Sequence, residues 1–453
     1  MVNIPTGPGV DAGALAEQLA AAGVAGVTIA WSDNNGIPRS RTVPVARLPD
    51  VASHGVGITS LFAVFDSHDV ITFTHAGLAN ASGDVRLVPE LSRLTQLAGQ
   101  PAFAWAPGRQ LAADGSPWPY DQRTVLERQV RRAADRGLTL RFGYELEFFV
   151  GTDGDEPAPA HAGPAYSPHA LLAVDEFAAG LLRDLAANGL GIGQLHAEYG
   201  VSQVEVSLDA ADPVRAADEQ LLARQTIHAA ARRHGLRVSF APLVSAAAVG
   251  NGAHVHASVW RDGRNLLAGA EPQGEGAAFL AGLLRDLPAI VALAAPSVPS
   301  LMRLRPGYFA SAFAFWGVEN REAALRFVPS SRLLGEGHAN VELKPSDASG
   351  NPYLALAALI GAGIAGIEEG LALPGPIADD PGGWTDAARA QAGVVALPTT
   401  PEDAAAALAA SARMRDVLGE ALLGAFAAVR QSDAAWAADR SDDDVVAGHL
   451  WRY

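Results

Sequence analysis

The stretch Gly143–Val150 (GYELEFFV) decides how the chain folds, since it combines the pattern of a β-strand with two carboxylates. Glu145 and Glu147 are two residues apart, so a strand places them on one face and puts Leu146 and Phe148 on the other. Two ionised carboxylates side by side repel each other, and their burial without a partner would be costly. A solvated strand edge and a cation between the two groups both remove this difficulty. An isolated pair does not distinguish these two interpretations.

The same alternation recurs in three further stretches, each with an apolar face and a face of ligand-type side chains. The stretches are Gln203–Leu208 (QVEVSL), His254–Val259 (HVHASV) and Asn340–Lys344 (NVELK). Their polar-face residues are Gln203, Glu205 and Ser207, then His254, His256 and Ser258, then Asn340, Glu342 and Lys344. Four such strands predict one concave polar surface over an apolar core. Carboxylates with an imidazole and no thiolate favour Mg²⁺ or Mn²⁺ over structural zinc.

Length and composition are typical of a soluble enzyme. The chain has 453 residues, 49% hydrophobic and 18% charged, enough for a large core and two domains or more. No apolar run of about 18 residues is free of helix breakers, which argues against a membrane span, and the start, MVNIPTGPGVD, lacks the regions of a secretory signal. The absence of cysteine excludes disulfides and Cys-ligated zinc and favours a cytoplasmic location. The net charge of -16 argues against a nucleic-acid partner.

The order of elements predicts an α+β fold with a small amino-terminal domain, residues 1–115, and a larger catalytic domain, residues 116–453. In the first, Val27–Val45 indicates two β segments around an Asn-Asn-Gly turn. The segment Gly151–Pro168 is predicted to be an exposed loop without functional signal. Helices are predicted over Val10–Gly23, Tyr120–Gly137, Leu171–Asn188, Pro213–Gly235, Phe279–Ala295, Asn351–Leu371 and Pro401–Ala428.

Four motifs connect these strands to a known family. They are HAEYGVSQVE at 196–205, MRLRPGY at 302–308, NREAALR at 320–326 and NPYLALAALI at 351–360. In this order, and beside the four polar strands, they resemble the motifs of the glutamine synthetase family over nearly the whole chain. Short motifs mislead singly, but this ordered set is specific.

The resemblance implies an amino-terminal β-grasp domain, and a catalytic domain whose antiparallel strands form an open cup flanked by helices. It also implies stacked hexameric rings (a dodecamer), with each active site completed by the neighbour's amino-terminal domain. Glu147, Glu198 and Glu205 would hold a first divalent ion, and Glu145, His254 and Glu342 a second, with two or three Mg²⁺ or Mn²⁺ ions per site.

The resemblance likewise assigns roles to cationic and nucleotide-binding residues. Arg303 would hold the carboxyl group of the amino-acid substrate, while Arg321 and Arg326 would contact the transferring phosphates. The backbone at Gly250 would contact substrate, and His256 and Ser258 would either contact ATP or only pack and hydrogen-bond locally. The implied reaction transfers a phosphoryl group from ATP to the γ-carboxyl of glutamate, and a nitrogen nucleophile then attacks the mixed anhydride.

The departures from the family pattern concern the nucleophile. Ammonia-using members carry a glutamate after the PGY motif, where this chain has Phe309, whose ring accepts no proton but can line a pocket for a larger amine. Their acidic, ammonium-binding segment is replaced by His54–Leu61 (HGVGITSL), which contains no acid. Both losses predict a ligase that joins glutamate to an organic amine, as the polyamine, monoamine or ethanolamine branch of the family does.

Two more departures concern the acid substrate. Lys344 replaces an arginine, which exchanges a bidentate fork for a point charge and leaves the identity of the acid open. Val249 replaces the asparagine of a family loop, of which Gly250 and Gly252 remain.

Two other functions remain open from the sequence. The chain could be an ordinary ammonia-using glutamine synthetase, or a catalytically silent relative that keeps only the assembly. Retention of all six metal positions counts against the silent relative. Asp66 and Asp69 could face a neighbour's amine entrance, although a surface turn is favoured for them.

Overall fold

The structure is a computed structural model that describes residues 9–154 and 158–453. Most of the segment used for the signal-peptide prediction, residues 1–8, lies outside the described residues, as do residues 155–157 of the predicted loop. The strands are β1 (Gly26–Ser32), β2 (Pro38–Pro44), β3 (Val56–Thr59), β4 (Asp84–Pro89), β5 (Thr95–Gln96), β6 (Phe103–Leu111), β7 (Leu138–Thr152), β8 (Ile192–Ala197), β9 (Gln203–Leu208), β10 (Leu236–Ser239), β11 (Ala253–Arg261), β12 (Arg264–Asn265), β13 (Phe313–Ala314), β14 (Trp316–Val318), β15 (Leu325–Val328), β16 (Asn340–Leu343) and β17 (Val395–Ala396).

The α-helices surround two large sheets, and β13 pairs with β17 in a separate two-stranded sheet. The helices are α1 (Ala12–Ala21), α2 (Leu48–His54), α3 (Gln122–Ala134), α4 (Pro168–Leu172), α5 (Asp175–Ala187), α6 (Pro213–Arg233), α7 (Gly274–Ala294), α8 (Val298–Arg303), α9 (Pro352–Glu369), α10 (Asp386–Gln391), α11 (Pro401–Ala410), α12 (Ala412–Leu418), α13 (Glu420–Ala437) and α14 (Asp442–His449). The predicted α+β class is confirmed. The predicted boundary at residue 115 falls between β6 and α3 and stays a prediction.

The larger sheet contains the four polar strands that the sequence predicts. Its order is β14-β15-β16-β11-β7-β9-β8, with β10 on β7 and β12 on β11, and the pairs are antiparallel except for β14 with β15. The four predicted strands are therefore neighbours in the order β16-β11-β7-β9. Leu146 and Phe148 of β7 are fully buried, and α3 and α6 pack against this strand. The apolar residues of β7 thus contribute to the core, while the alternate side chains supply the polar face.

The smaller, amino-terminal sheet docks on the catalytic part through its first hairpin. Its order is β2-β1-β6-β4-β3, with β5 on β6. The Asn-Asn-Gly turn between β1 and β2 is present, but Asn34 and Asn35 are completely buried. Asn351 donates hydrogen bonds to the backbone of the turn, and Arg224 donates to the carbonyl of Gly36 at 2.8 Å. A Cβ at Gly36 would lie 2.6 Å from the carbonyl oxygen of Ala348, so only glycine fits there.

Several helix boundaries differ from the prediction; for example, α7 begins at Gly274 rather than Phe279, and the predicted helix Leu171–Asn188 is divided into α4 and α5. Local capping explains two further differences. The predicted helix over 401–428 is three helices, since Ser411 caps α12 and Gly419, at φ 80°, separates α12 from α13. The side chain of Asn351 caps the start of α9, and Gly370 ends this helix in the left-handed region.

Two helices, α7 and α9, are long and apolar enough to cross a membrane by length and composition alone. Their mean hydropathies are 1.7 and 1.3, and 72% and 83% of the respective windows are buried inside the fold. They pack on each other, as core helices of globular proteins do. The search for an uninterrupted apolar run in the sequence detects neither helix, because Arg285 and Asp286 interrupt α7 and glycines interrupt α9.

Candidate active site

A cavity of about 630 Å³ opens over the polar face of the larger sheet. Strand register brings the predicted ligands together there, because Glu147 lies opposite Glu205 and Glu145 lies opposite His254. On the next strand Glu342 lies opposite His256. We call the polar face of β9, β7, β11 and β16, together with Glu198, the acidic cup.

The first group of ligand-type residues consists of Glu147, Glu198 and Glu205, whose carboxylate oxygens lie within 4.8 Å of one another. Glu198 follows β8 directly, and its backbone N–H donates to the carbonyl of Gln203 at 2.9 Å. Burial, together with the neighbouring carboxylates, raises the pKa of Glu205 to about 9, and burial also raises the pKa of Glu198. The cluster is thus electrostatically unfavourable without a cation.

The second group contains Glu145, His254 and Glu342. The Nδ1 atom of His254 lies 3.5 Å from a carboxylate oxygen of each acid. Burial favours neutral Glu145, but hydrogen bonds to His254 and His256 outweigh it and hold the pKa of Glu145 well below its usual range. The three side chains are therefore adjacent, as the sequence predicts.

Glu342 differs from the other acids because both of its oxygens already have cationic partners. Arg326 Nη1 lies 2.9 Å from Oε2, and Lys344 Nζ lies 3.1 Å from Oε1. Burial would raise the pKa of Glu342, but Lys344 and the two histidines of β11 hold it well below its usual range. Arg326, predicted to contact phosphates, and Lys344 thus both neutralise a predicted metal ligand in this structure.

Arg303 ends α8 and is buried at the wall of the cavity. Its Nη2 donates to the carbonyl of Ser346 at 2.9 Å and lies 3.9 Å from Asp347 Oδ2. Gly250 packs against its aliphatic stem so closely that a Cβ there would overlap Cδ of Arg303 and the carbonyl oxygen of Pro242. Arg303 is therefore held by backbone on one side and by glycine on the other.

Phe309 lines the same cavity from a loop with an unusual backbone. Phe309 and Ser311 adopt φ of 54° and 68°, a region that is costly for a bulky side chain, by about 1–3 kcal/mol. The Phe309 side chain is 53% exposed, and its backbone N–H donates to Glu322 Oε1 at 3.2 Å. By contrast, Phe315 and Trp316 are buried, so they serve packing.

Comparison with known proteins identifies the family. Residues 119–444 match the model of the glutamine synthetase catalytic domain. The chain belongs to the glutamine synthetase family. The predictions of this family, and of an ATP-dependent carboxylate–amine ligase within it, are therefore confirmed.

Similar proteins include several members of the glutamine synthetase family. The gamma-glutamylpolyamine synthetase of Streptomyces coelicolor is 45% identical over 97% of this chain and 96% of its own length. The glutamine synthetase of Thermus thermophilus is 34% identical over 75% of each chain. A solved structure described as a novel glutamine synthase homolog has a TM-score of 0.84 at 33% identity, covering 95% of this chain and 99% of its own. A second, described as a GmaS/ADP complex, has a TM-score of 0.81 at 27% identity, covering 94% and 97%.

The donor set fits the divalent ions that glutamine synthetases use. Most of its ligand atoms are carboxylate oxygens, and His254 and His256 add imidazole nitrogens beside Glu145. The raised pKa of Glu205 indicates a site that needs positive charge. Such oxygen-rich sets suit hard cations. Among the described residues, three sets of three cup residues have ligand atoms within 4.8 Å of one another. One of these sets contains His254 and another contains His256.

The predicted ATP contacts and phosphate contacts are only partly at the cavity. Arg321 and Arg326 line it, whereas His256 and Ser258 are not among its lining residues in the described parts of the chain. His256 Nδ1 lies 2.9 Å from Asn340 Oδ1, and Ser258 accepts a hydrogen bond from Trp260. Both side chains therefore have local partners.

Sequence reasoning missed three residues near the cup. Tyr166 lies in the loop predicted to be without functional signal, but it donates to Glu198 Oε1 at 3.1 Å, so that prediction is wrong. His196 Nε2 lies 3.5 Å from Glu205, and its place in the HAE motif is a usable signal. Glu322 belongs to the NREAALR motif, and its carboxylate accepts a hydrogen bond from the backbone of Phe309.

Asp66 and Asp69 belong to a turn, as favoured from the sequence, but only Asp69 is at the surface, whereas Asp66 is buried. Asp66 accepts hydrogen bonds from the backbone of residues 68 and 70, and from Ser432 of α13. Asp69 pairs with Arg39 at 2.7 Å and with Arg452 at 2.8 Å. This turn therefore joins the amino-terminal part to the last helices.

Proposed function

We propose that this protein activates the γ-carboxyl of glutamate with ATP and joins it to an organic amine, giving a γ-glutamylamide. The observation that carries the proposal is Phe309, whose ring lines the cavity where ammonia-using relatives would carry a proton-accepting glutamate. A hydrocarbon wall favours the carbon chain of an amine over ammonium, which gains nothing from apolar contact. The similarity to a gamma-glutamylpolyamine synthetase supports a polyamine as the acceptor. Monoamines and ethanolamine remain in the proposed class.

The acidic cup would hold the divalent ions, with Glu147, Glu198 and Glu205 around one and Glu145, His254 and Glu342 around another. When bound, Mg²⁺ or Mn²⁺ supplies charge neutralisation for the transferring phosphoryl oxygens.

The chain's own residues perform the remaining tasks. Arg303, fixed by Ser346 and Gly250, would orient the substrate carboxylate at the cavity wall, with the backbone at Gly250 as part of that surface. Arg321, exposed at the cavity, is available for phosphate oxygens. Arg326 and Lys344 lie one on each oxygen of Glu342. Once a bound ion neutralises Glu342, each of these two side chains would be available to bind a negatively charged group of a substrate. His256 and Ser258, which lie beside the described lining of the cavity and not in it, would contact the nucleotide or only hydrogen-bond locally.

The acceptor nitrogen must lose a proton before it attacks the γ-glutamyl phosphate. In the segment His54–Leu61 no acid replaces the lost ammonium site. Tyr166 donates a hydrogen bond to Glu198 Oε1 at the cavity, which helps to orient this proposed metal ligand.

We further propose a cytoplasmic homo-oligomer of stacked hexameric rings, in which a neighbour's amino-terminal domain completes each site. Family membership supports oligomerisation, and size-exclusion chromatography with light scattering tests the dodecamer.

The decisive experiment measures ADP release with glutamate, Mg²⁺ and a panel of ammonium, ethanolamine, short alkylamines, putrescine and spermidine. We expect kcat/KM for one organic amine to exceed that for ammonium by about a hundredfold or more, about 2.7 kcal/mol of discrimination. The variant Phe309→Glu should narrow this ratio, while Phe309→Leu, which keeps an apolar wall, should preserve it. A clear preference of the wild type for ammonium would establish a glutamine synthetase instead. No turnover with any nucleophile, while ATP still binds, would point to an acid other than glutamate at Lys344.

A further inference from the structure

Glu322 lies directly behind the loop that carries Phe309. Its neighbour Arg321 lines the cavity, and its other neighbour, Ala323, is fully buried, so the backbone at this point is fixed at the cavity edge. The Glu322 N–H donates to Asn320 Oδ1 at 3.0 Å. Asn320 in turn donates to the carbonyl of Ile377 at 2.9 Å. The carboxyl group of Glu322 therefore extends from an anchored turn.

The contact of Glu322 is with the strained residue itself. One carboxylate oxygen accepts the hydrogen bond from the Phe309 N–H at 3.2 Å. Within the described residues, the Phe309 N–H has no other hydrogen-bond acceptor. A backbone in the left-handed region at a phenylalanine persists only when its surroundings hold it. The direction of the Phe309 ring thus depends on an acceptor at Glu322.

We propose that Glu322 is a positioning residue for the acceptor amine, which fixes the Phe309 loop so that the ring forms the wall of the amine pocket. This inference rests on the proposed use of an organic amine. It assigns a role to an acid that the motif itself does not require, and the role needs a hydrogen-bond acceptor rather than a negative charge.

The experiment compares the full-length variants Glu322→Ala and Glu322→Gln. Gln keeps a side-chain carbonyl oxygen for the Phe309 N–H, whereas Ala removes the acceptor. Glu319→Ala is the matched control, because Glu319 is a nearby acid whose side chain has no hydrogen bond to this loop in the described structure. We expect Glu322→Ala to raise KM for the best amine by about three- to tenfold, as for the net loss of one ordinary hydrogen bond, with KM for glutamate and ATP unchanged. Glu322→Gln and Glu319→Ala should stay within about twofold of the wild type.

A second readout does not depend on the substrate. Hydrogen exchange, measured by mass spectrometry on the peptide covering 304–312, should be faster in Glu322→Ala and near wild type in Glu322→Gln. Equal KM effects of Ala and Gln, without a change in exchange, would assign Glu322 a charge role and overturn the proposal. An unaltered Glu322→Ala would overturn it as well. If the wild type used no organic amine but exchange still rose in Glu322→Ala, the proposed function would fail while the positioning role would stand.

Discussion

Replacement of Gly250 by alanine tests whether Arg303 holds the substrate carboxylate. A Cβ at this position would overlap both Cδ of Arg303 and the carbonyl oxygen of Pro242, each closer than 3.0 Å. The φ of Gly250 is not in the left-handed region, so the added methyl acts through this collision and not through backbone strain. The backbone carbonyl cannot yield easily, and the arginine stem must therefore move by about 1 Å, a displacement that can cost about a hundredfold in rate.

The expected size follows from the interaction that is lost. A hydrogen bond between charged groups contributes about 1.5–3 kcal/mol. At about 1.4 kcal/mol per factor of ten, Gly250→Ala should raise KM for glutamate about 10- to 100-fold. KM for ATP should change by less than about twofold, because Arg321 and Arg326, the arginines proposed to contact phosphates, lie elsewhere on the wall.

The assay is coupled ADP release with glutamate varied at saturating ATP and amine. Gly383→Ala is the control, since a Cβ there meets no atom within 4 Å. A glutamate KM within twofold of the wild type, in a folded Gly250→Ala variant, would refute the role given to Arg303. Equal rises in KM for glutamate and ATP would show a general collapse of the loop.

Three further perturbations have defined outcomes. Lys344→Met frees an oxygen of Glu342, so Mn²⁺ affinity measured by calorimetry should rise about tenfold; an unchanged affinity contradicts this. Burial lowers the pKa of His449 from its ordinary 6.5 to about 4. Between these two pH values the unfolded chain therefore binds more protons at this histidine than the folded chain does. The free energy of unfolding is thus unaffected by this histidine above pH 6.5 and decreases as the pH falls toward 4. The unfolding temperature of His449→Asn should therefore fall less between pH 7 and pH 4.5 than that of the wild type, and parallel curves exclude the effect. Gly36→Ala should lower the unfolding temperature several degrees more than Gly235→Ala, because both have positive φ but only Gly36 faces backbone atoms. Equal shifts in calorimetry would show that the docking of the turn is loose.

Periodicity predicted the individual strands well but not their arrangement. The alternation in β7 and β11 is visible in any window of eight residues, because one face is apolar and the other polar. The shared ligand-type faces predicted one polar surface, but not the strand order β16-β11-β7-β9, since pairing depends on contacts between distant residues. The same applies to the pairing of Glu342 with Arg326, which arises only when β15 and β16 meet.

Two of the missed residues, Tyr166 and Glu322, lacked any local signal of their contacts. Tyr166 is one aromatic in a Gly/Pro/Ala loop, and only the folded chain brings it to Glu198. Glu322 looks like a surface acid until the Phe309 loop folds over it. Gly419 itself indicates a break between α12 and α13, but the alanine-rich composition on both sides favours one continuous helix.

The buried turn between β1 and β2 has a consequence for the time course of synthesis. Its partners near Ala348 leave the ribosome about 310 residues later, an interval of about 15–60 s at typical rates of translation. During that interval the tip of the hairpin lacks its partners near Ala348. Asn34 and Asn35 are well suited to this delay, because their side-chain amides donate to the carbonyls of Ala63 and Phe65, which follow only 29 and 30 residues later in the chain. The two amides thus serve the nascent chain as much as the finished enzyme.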